Sequence, residues 1–311
     1  MDKTLSQVFQ WTGVTLLIVA VFTFSTNSML LYTLYRNPLK CFRNTAAVFV
    51  ACLSIADFLT GAFTAIDVGV SSLLNVNGIP SIKVGRVSQE KLVSQFTVRS
   101  GILVVVVFSI ERLLAVATPY FYRNKATPKK ALVICIFCFV IGLLASLSEL
   151  VLNKNTFDII SYYGFFVAPL SIILLAYLFI YVAIKQKLRK AMNMQLNNAQ
   201  QRQRLQIKRE CQLGLTAFYI VLGFLFSYCF WFTVVLIGNI CSSCKSQSWY
   251  HACYRISIPF LYVNSALNPL LYAWRIQTYR RSFLLVLQSI QTVRVRPLEL
   301  SRANDTSTSK L

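Results

Sequence analysis

Apolar residues in this chain gather into seven long runs, near 12–35, 45–70, 93–117, 130–152, 161–185, 211–238 and 254–274. About 20 apolar residues in a helix cross the hydrocarbon core of a bilayer, and each run has that length. Lipid offers no partner to a backbone amide or carbonyl, so the runs predict helices. Two of them carry polar interruptions. The third contains Arg99 and begins beside Glu90 and Lys91, and the seventh contains Asn264, Ser265 and Asn268. The predicted fold is all-α, a seven-transmembrane helix bundle. No sequence repeat relates its halves, which weakens a transporter reading.

Beyond the seventh run, RIQTYRRSFLLVL (275–287) mixes basic with apolar positions, as a short amphipathic eighth helix on the inner leaflet would. The predicted organisation is an N-terminus over 1–11, a seven-helix domain over 12–274, the surface helix over 275–287 and a disordered polar tail over 288–311. The basic, Gln/Asn-rich stretch at 186–210 reads as a solvated extension of the fifth and sixth helices, a reading compatible with a docking surface.

Composition narrows the class. The chain is 56% hydrophobic and 13% charged, far below the charged fraction of a water-soluble domain. Its net charge of +21 would by itself suggest nucleic acid, but in so oily a chain it predicts cationic loops facing anionic lipid, and no nucleic acid partner. Most of the 31 basic residues fall on one side of the predicted spans, in the clusters around Arg36–Arg43, Arg123–Lys130, Lys185–Arg209 and Arg275–Lys310. The positive-inside rule then puts the N-terminus outside the cell and the C-terminus in the cytoplasm of a multi-pass plasma-membrane protein. No cleavable signal peptide is evident.

Of nine cysteines, Cys52, Cys135, Cys138 and Cys229 sit in apolar runs as small hydrophobes. Cys241, Cys244 and Cys253 fall outside. CSSC can close a small disulfide there, or Cys253 can be one partner. Zinc is disfavoured because only His251 is near. No nucleophile–base pair or metal cluster supports catalysis, so no enzyme is expected.

Three patterns carry chemistry. Glu111 and Arg112 end the third run within SIERLLAVATPYFYR (109–123), where charges mark the water interface. Asp57 lies mid-span in LSIADFL (53–59), a costly position that marks function. In NSALNPLLY (264–272), Pro269 removes a helical hydrogen bond and bends the helix, and Asn268 can satisfy the freed backbone locally.

Together these segments resemble the rhodopsin-like (class A) G-protein-coupled receptors. SIERLLAVATPYFYR is similar to the family's DRY segment, NSALNPLLY to its NSxxNPxxY and LSIADFL to its LxxAD. Asn27 matches a lone interior asparagine, and Pro169 precedes Tyr177 by the family's spacing. Tyr279 falls near the aromatic residue of the family's short surface helix. The resemblance covers about 12–285. It implies that Glu111 tethers Arg112 at rest and releases it on activation, that Tyr177 then receives it, that Tyr272 moves with the Pro269 bend, and that Pro119 and Tyr120–Phe121 face a heterotrimeric G protein. It also implies a polar cluster of Asn27, Asp57, Asn264, Ser265 and Asn268 around Asp57 that holds a sodium ion, or else a water network.

Several family features are missing. Gly101 stands where a serine ligand is usual. The sixth run, GFLFSYCFWFTVVLIG (223–238), lacks the family's proline, and the register of Cys229–Trp231 is open by one residue. Val87 and a short loop at 153–160 leave no outer disulfide staple, and the fourth run has no tryptophan.

Asp67, Ser94, Arg99, Trp231 and Tyr262 are the candidate ligand-pocket residues. Ser94 in place of an aspartate disfavours an amine, and no lysine between Lys245 and Lys310 could hold retinal. An open pocket suits a small molecule or a lipid entering from the bilayer. Arg99 either anchors an acidic ligand or pairs internally with Glu149 or Asp67. The expected function is a receptor that activates a G protein. A non-signalling receptor-like partner is the first alternative, and a seven-helix transporter the weaker one.

Overall fold

The computed structural model describes residues 3–40, 42–76, 83–84, 87–192, 218, 222–223, 226–275 and 277–289. They are helical almost throughout. α1 runs over Lys3–Arg36, beginning well before the predicted span because the helix continues through the N-terminal segment beyond its apolar part. α2 (Thr45–Leu59) and α3 (Ala65–Val76) are joined through a π-turn at Thr60–Thr64. Asn44 caps α2 by accepting from the Ala47 amide at 2.8 Å. A two-residue ladder, β1 (Lys83–Val84) with β2 (Val87–Ser88), leads into α4 (Gln89–Ala117).

The short α5 (Pro119–Lys125) follows, with Pro119 at its first position, where the missing N–H costs nothing. α6 (Pro128–Val151) is capped by Thr127. α7 (Lys154–Tyr162) and α8 (Ala168–Met192) form one rod through a π-turn at Tyr163–Val167. That turn lies just ahead of Pro169, which cannot donate to the helix. The loop expected at 153–160 is therefore helical from Lys154, because Asn153 accepts from the Thr156 amide at 2.9 Å and caps α7.

α9 covers Phe226–Ile240, and most of the preceding part of the sixth run lies outside the described residues. α10 spans Ser248–Arg275 and continues through Pro259 and Pro269. Residues 277–289 form α11. The basic stretch at 186–210 is helical up to Met192, as an extension of the fifth helix, and the tail expected to be disordered from 288 is still helical at 288 and 289; the rest of both lies outside the described residues.

Five of these rods are long and apolar enough to cross a membrane: α1, α2–α3, α4, α6 and α7–α8. Their amphipathicity is reversed relative to a soluble helix. On α6 the inward face is small, with Ala131, Cys135, Cys138, Gly142 and Ser146. The outward face is large and oily, with Val133, Ile136, Phe137, Val140 and Leu144 exposed. Small residues let helices approach closely, and lipid solvates the large ones. α4 occupies the middle, packing on α2, α6 and α8, while α1 packs on α2, α3 and α10. A Cβ at Gly142 would collide with the Ser100 hydroxyl oxygen and lie 3.0 Å from the Ser100 backbone nitrogen, so the α4–α6 contact is as close as it is because position 142 is glycine.

Candidate functional site

The inner end of α4 carries a closed charge clamp. The Arg112 guanidinium donates to both carboxylate oxygens of Glu111, Nε to Oε2 and Nη2 to Oε1, each at 2.5 Å. Both residues are buried, Arg112 to 3% exposure. A guanidinium stays charged when buried, so such a partner offsets a charge that would otherwise be costly to bury. The Phe108 ring lies beneath the cation at 5.6 Å. A third residue closes the clamp. Tyr122, on α5, accepts from Arg112 Nη2 at 3.2 Å and donates to Glu111 Oε1. Burial first, and then the bond to Glu111 and its charge, push the Tyr122 phenol up to about 12. It is therefore a protonated donor at physiological pH.

Sequence reasoning singled out Pro119 and Tyr120–Phe121 but missed Tyr122. Pro119, Tyr120 and Phe121 are exposed, whereas Tyr122 turns inward. The available signal was the helical spacing of an α5 started by Pro119, which sends Tyr120 and Tyr122 to different faces.

Tyr177 on α8 and Tyr272 on α10 are buried near the same core, and neither hydroxyl has a hydrogen-bond partner among the described residues. Orphaned buried hydroxyls are uncommon and costly. Ser109, one turn before Arg112, donates its own hydroxyl to the Val105 carbonyl at 2.7 Å.

One level further in lies the polar cluster. Asp57 Oδ2 accepts from Asn268 Nδ2 at 2.7 Å, and the Ser265 hydroxyl also faces this carboxylate. Asn27 Nδ2 donates to the Ser265 carbonyl at 3.0 Å and to the Thr23 carbonyl at 2.9 Å, tying α1 to α10. The expectation that Asn268 satisfies the backbone freed by Pro269 is not met: its amide nitrogen goes to Asp57, the stronger, charged acceptor.

Asn264 Oδ1 and Asn268 Oδ1 are buried acceptors without a donor among the described residues. A carboxylate, a hydroxyl and two unsatisfied amide oxygens are the donor chemistry of a hard cation, so the residues fit a sodium ion. Gly101 faces open space, since a Cβ there would meet only Ala56, at 4.0 Å.

The candidate pocket residues separate into two groups. Ser94 and Tyr262 share a hydrogen bond of 2.8 Å between α4 and α10. Thr97 bonds Thr64 at 3.2 Å nearby. Trp231 is half-buried against the main core, and Asp67 is exposed in the first turn of α3. On α9 the inward face holds Tyr228, Trp231 and Phe232, with Cys229 outward. Phe232 stacks on Phe166 at 3.9 Å and on Tyr162 at 5.1 Å.

Arg99 points elsewhere. Its Nη1 donates to the Ala145 carbonyl and its Nη2 to Ser161 Oγ at 2.8 Å, between the Phe157 and Phe165 rings. Of the readings set out for Arg99, the direct pair with Glu149 is not formed: Glu149 accepts from Lys91 and Gln95 instead. Where an outer staple was found to be missing, these bonds join α4 to α6 and α7. Cys241 and Cys244 form a disulfide with Cα atoms 5.3 Å apart, and Cys253 is free and half-buried in α10.

Apolar rods with small inward faces, a charged clamp at one end and a buried polar centre define a multi-pass helical membrane protein. The model of the family described as 7 transmembrane receptor (rhodopsin family) matches residues 26–272. The chain belongs to that family of G-protein-coupled receptors. It is similar to the adenosine receptor A2a of Canis lupus familiaris, at 25% identity over 224 residues, covering 61% of this chain and 53% of that receptor. The human adenosine receptor A2a is 24% identical over the same coverage. The chain thus spans about half the length of these curated relatives.

Proposed function

We propose that this receptor sits in the plasma membrane with its N-terminus outside, senses a small extracellular or membrane-borne ligand, and activates a heterotrimeric G protein at its cytoplasmic face. The observation that carries the reading is the Glu111–Arg112–Tyr122 clamp. A buried arginine bound on three sides by two neighbours is a cation held in reserve. Freed from Glu111, it has the orphaned hydroxyl of Tyr177 as a new partner, and a G protein would meet the Arg112 side chain and the exposed Pro119–Phe121 surface. Arg112 and Tyr177 would stabilise the active arrangement, and Glu111 and Tyr122 the resting one.

A sodium ion would be held by Asp57, Ser265, Asn264 and Asn268. When bound it supplies a positive charge beside Asp57 that favours the resting core. The ligand would contact the Ser94–Tyr262 level and the Tyr162–Phe232–Phe166 stack, a setting suited to a small, largely apolar or aromatic molecule.

Guanine-nucleotide exchange on a panel of purified G proteins tests this, with the receptor and Arg112→Ala compared in membranes at matched expression. Exchange driven by the receptor and lost in the variant is expected. Exchange that survives in Arg112→Ala would reject the role of the clamp. Adenosine, for which the two relatives are named, is the first ligand to add.

A further inference from the structure

α1 stops sharply after Arg36. Asn37 takes φ 39°, in the left-handed region, and its amide donates to the Thr33 carbonyl at 3.0 Å. Pro38 cannot extend the helix. Asn37 Oδ1 accepts from the Phe42 amide at 3.2 Å, and Lys40, with φ 50°, donates its amide to the Asn37 carbonyl at 2.9 Å. The Phe42 ring then lies 6.3 Å from that of Tyr279 on α11. The turn and α11 are thereby fixed as two walls of a corner. Between them is a cleft of about 450 Å³, lined by Tyr35, Arg36 and Pro38 on one side and Leu285, Val286 and Ser289 on the other.

The charges of this corner are of one sign. Arg36 is exposed and makes no ion pair among the described residues. Arg281, also exposed, lies one turn before Leu285 and two before Ser289, on the face of α11 that lines the cleft. The sequence has no Asp or Glu between Asp2 and Asp57, nor between Glu210 and Glu299. The remaining lining is oily: Leu285 and the neighbouring Leu39 are each 43% exposed. Tyr35 is 85% exposed, as an aromatic side chain at a bilayer interface is. A cationic rim over an apolar floor matches an anionic amphiphile.

We propose that the corner between α1 and α11 binds an anionic phospholipid of the adjoining leaflet, its phosphate against Arg36 and Arg281 and its acyl chains along Leu285 and Leu39. The inference rests on the membrane-spanning reading of the chain, not on which face is cytoplasmic or on G-protein activation. It can therefore fail while those readings stand.

Native mass spectrometry of the full chain, released from nanodiscs of equal phosphatidylcholine and phosphatidylglycerol, tests it. Retained adducts should be phosphatidylglycerol in preference to phosphatidylcholine. A basic residue near a membrane surface contributes about 1 kcal/mol, so Arg36→Ala and Arg281→Ala should each lower the adduct about fivefold. Arg36→Lys should retain most of it, and Lys129→Ala, at the start of α6, should leave it unchanged. Arg281→Ala, at an exposed position, carries the test if Arg36→Ala does not fold. Equal retention of both lipids, or an equal loss in Lys129→Ala, would overturn the site. So would efficient cross-linking of Tyr35→Cys between two receptors in the phosphatidylglycerol nanodiscs, which would assign the cleft to a second copy.

Discussion

The Tyr122 hydroxyl donates to Glu111 while the phenolic oxygen accepts from Arg112, so one atom braces both charges. A hydrogen bond to a charged group contributes about 1.5–3 kcal/mol. Tyr122→Phe removes it while keeping the ring. If even half of that energy belongs to the resting state alone, basal nucleotide exchange should rise several-fold over the parent receptor, and a basal rate equal to the parent's would refute the brace. Gly101 offers a second test at this scale. The open space beside Ala56, the residue before Asp57, accepts a side chain, so Gly101→Ser should fit without a clash and restore the hydroxyl that the family resemblance implies for a sodium ligand. Sodium should then suppress basal exchange at about fivefold lower concentration than in the parent, with potassium inert. Indifference to sodium in both proteins would remove the ion from the account. Glu111, Arg112 and Asp57 were legible in the sequence because a charge in an oily run is conspicuous. Tyr122 was not, because it is one of three aromatic residues in a row and its partners lie on a different helix. Arg99 was legible as a buried cation, but its partners were not, since Ala145 contributes only a backbone carbonyl.

Among the elements, α6 shows best how the sequence builds a lipid-facing rod. Its inward positions 131, 135, 138, 142 and 146 recur at helical spacing and are all small or polar, so α4 can approach at Gly142. Gly142→Val would press its side chain into the Ser100 backbone. Overpacking of this kind costs about 1–3 kcal/mol, and thermal unfolding in detergent should show a clear loss of stability. A midpoint equal to the parent's would contradict the close approach. The apolar runs gave the positions of the helices well, but not their ends. The α7 start at Lys154 was missed although Asn153 is a good cap, because a polar LNKNT stretch reads equally as a loop. The two π-turns leave no simple periodic trace, although Pro169 marks the neighbourhood of one of them. The spacing of CSSC gave its disulfide as one of two options, and the proximity of Cys241 and Cys244 decides between them.

Across the whole molecule, buried polar groups line one route through the bundle, from the Ser94–Tyr262 bond through the Asp57 cluster to the Arg112 clamp. A ligand at one end and a G protein at the other would be coupled if both bias the same two arrangements of this core. Removing one partner of a buried ion pair costs about 3–5 kcal/mol, and about 1.4 kcal/mol already shifts a two-state equilibrium tenfold. A clamp of that strength would be enough to hold the receptor at rest. The most direct measurement is basal nucleotide exchange by Glu111→Gln, set beside the double variant Glu111→Gln/Arg112→Ala, in membranes with matched receptor levels. The account predicts at least a tenfold rise for the single variant and none for the double. A single variant no more active than the parent, or a double variant that keeps the raised activity, would contradict it.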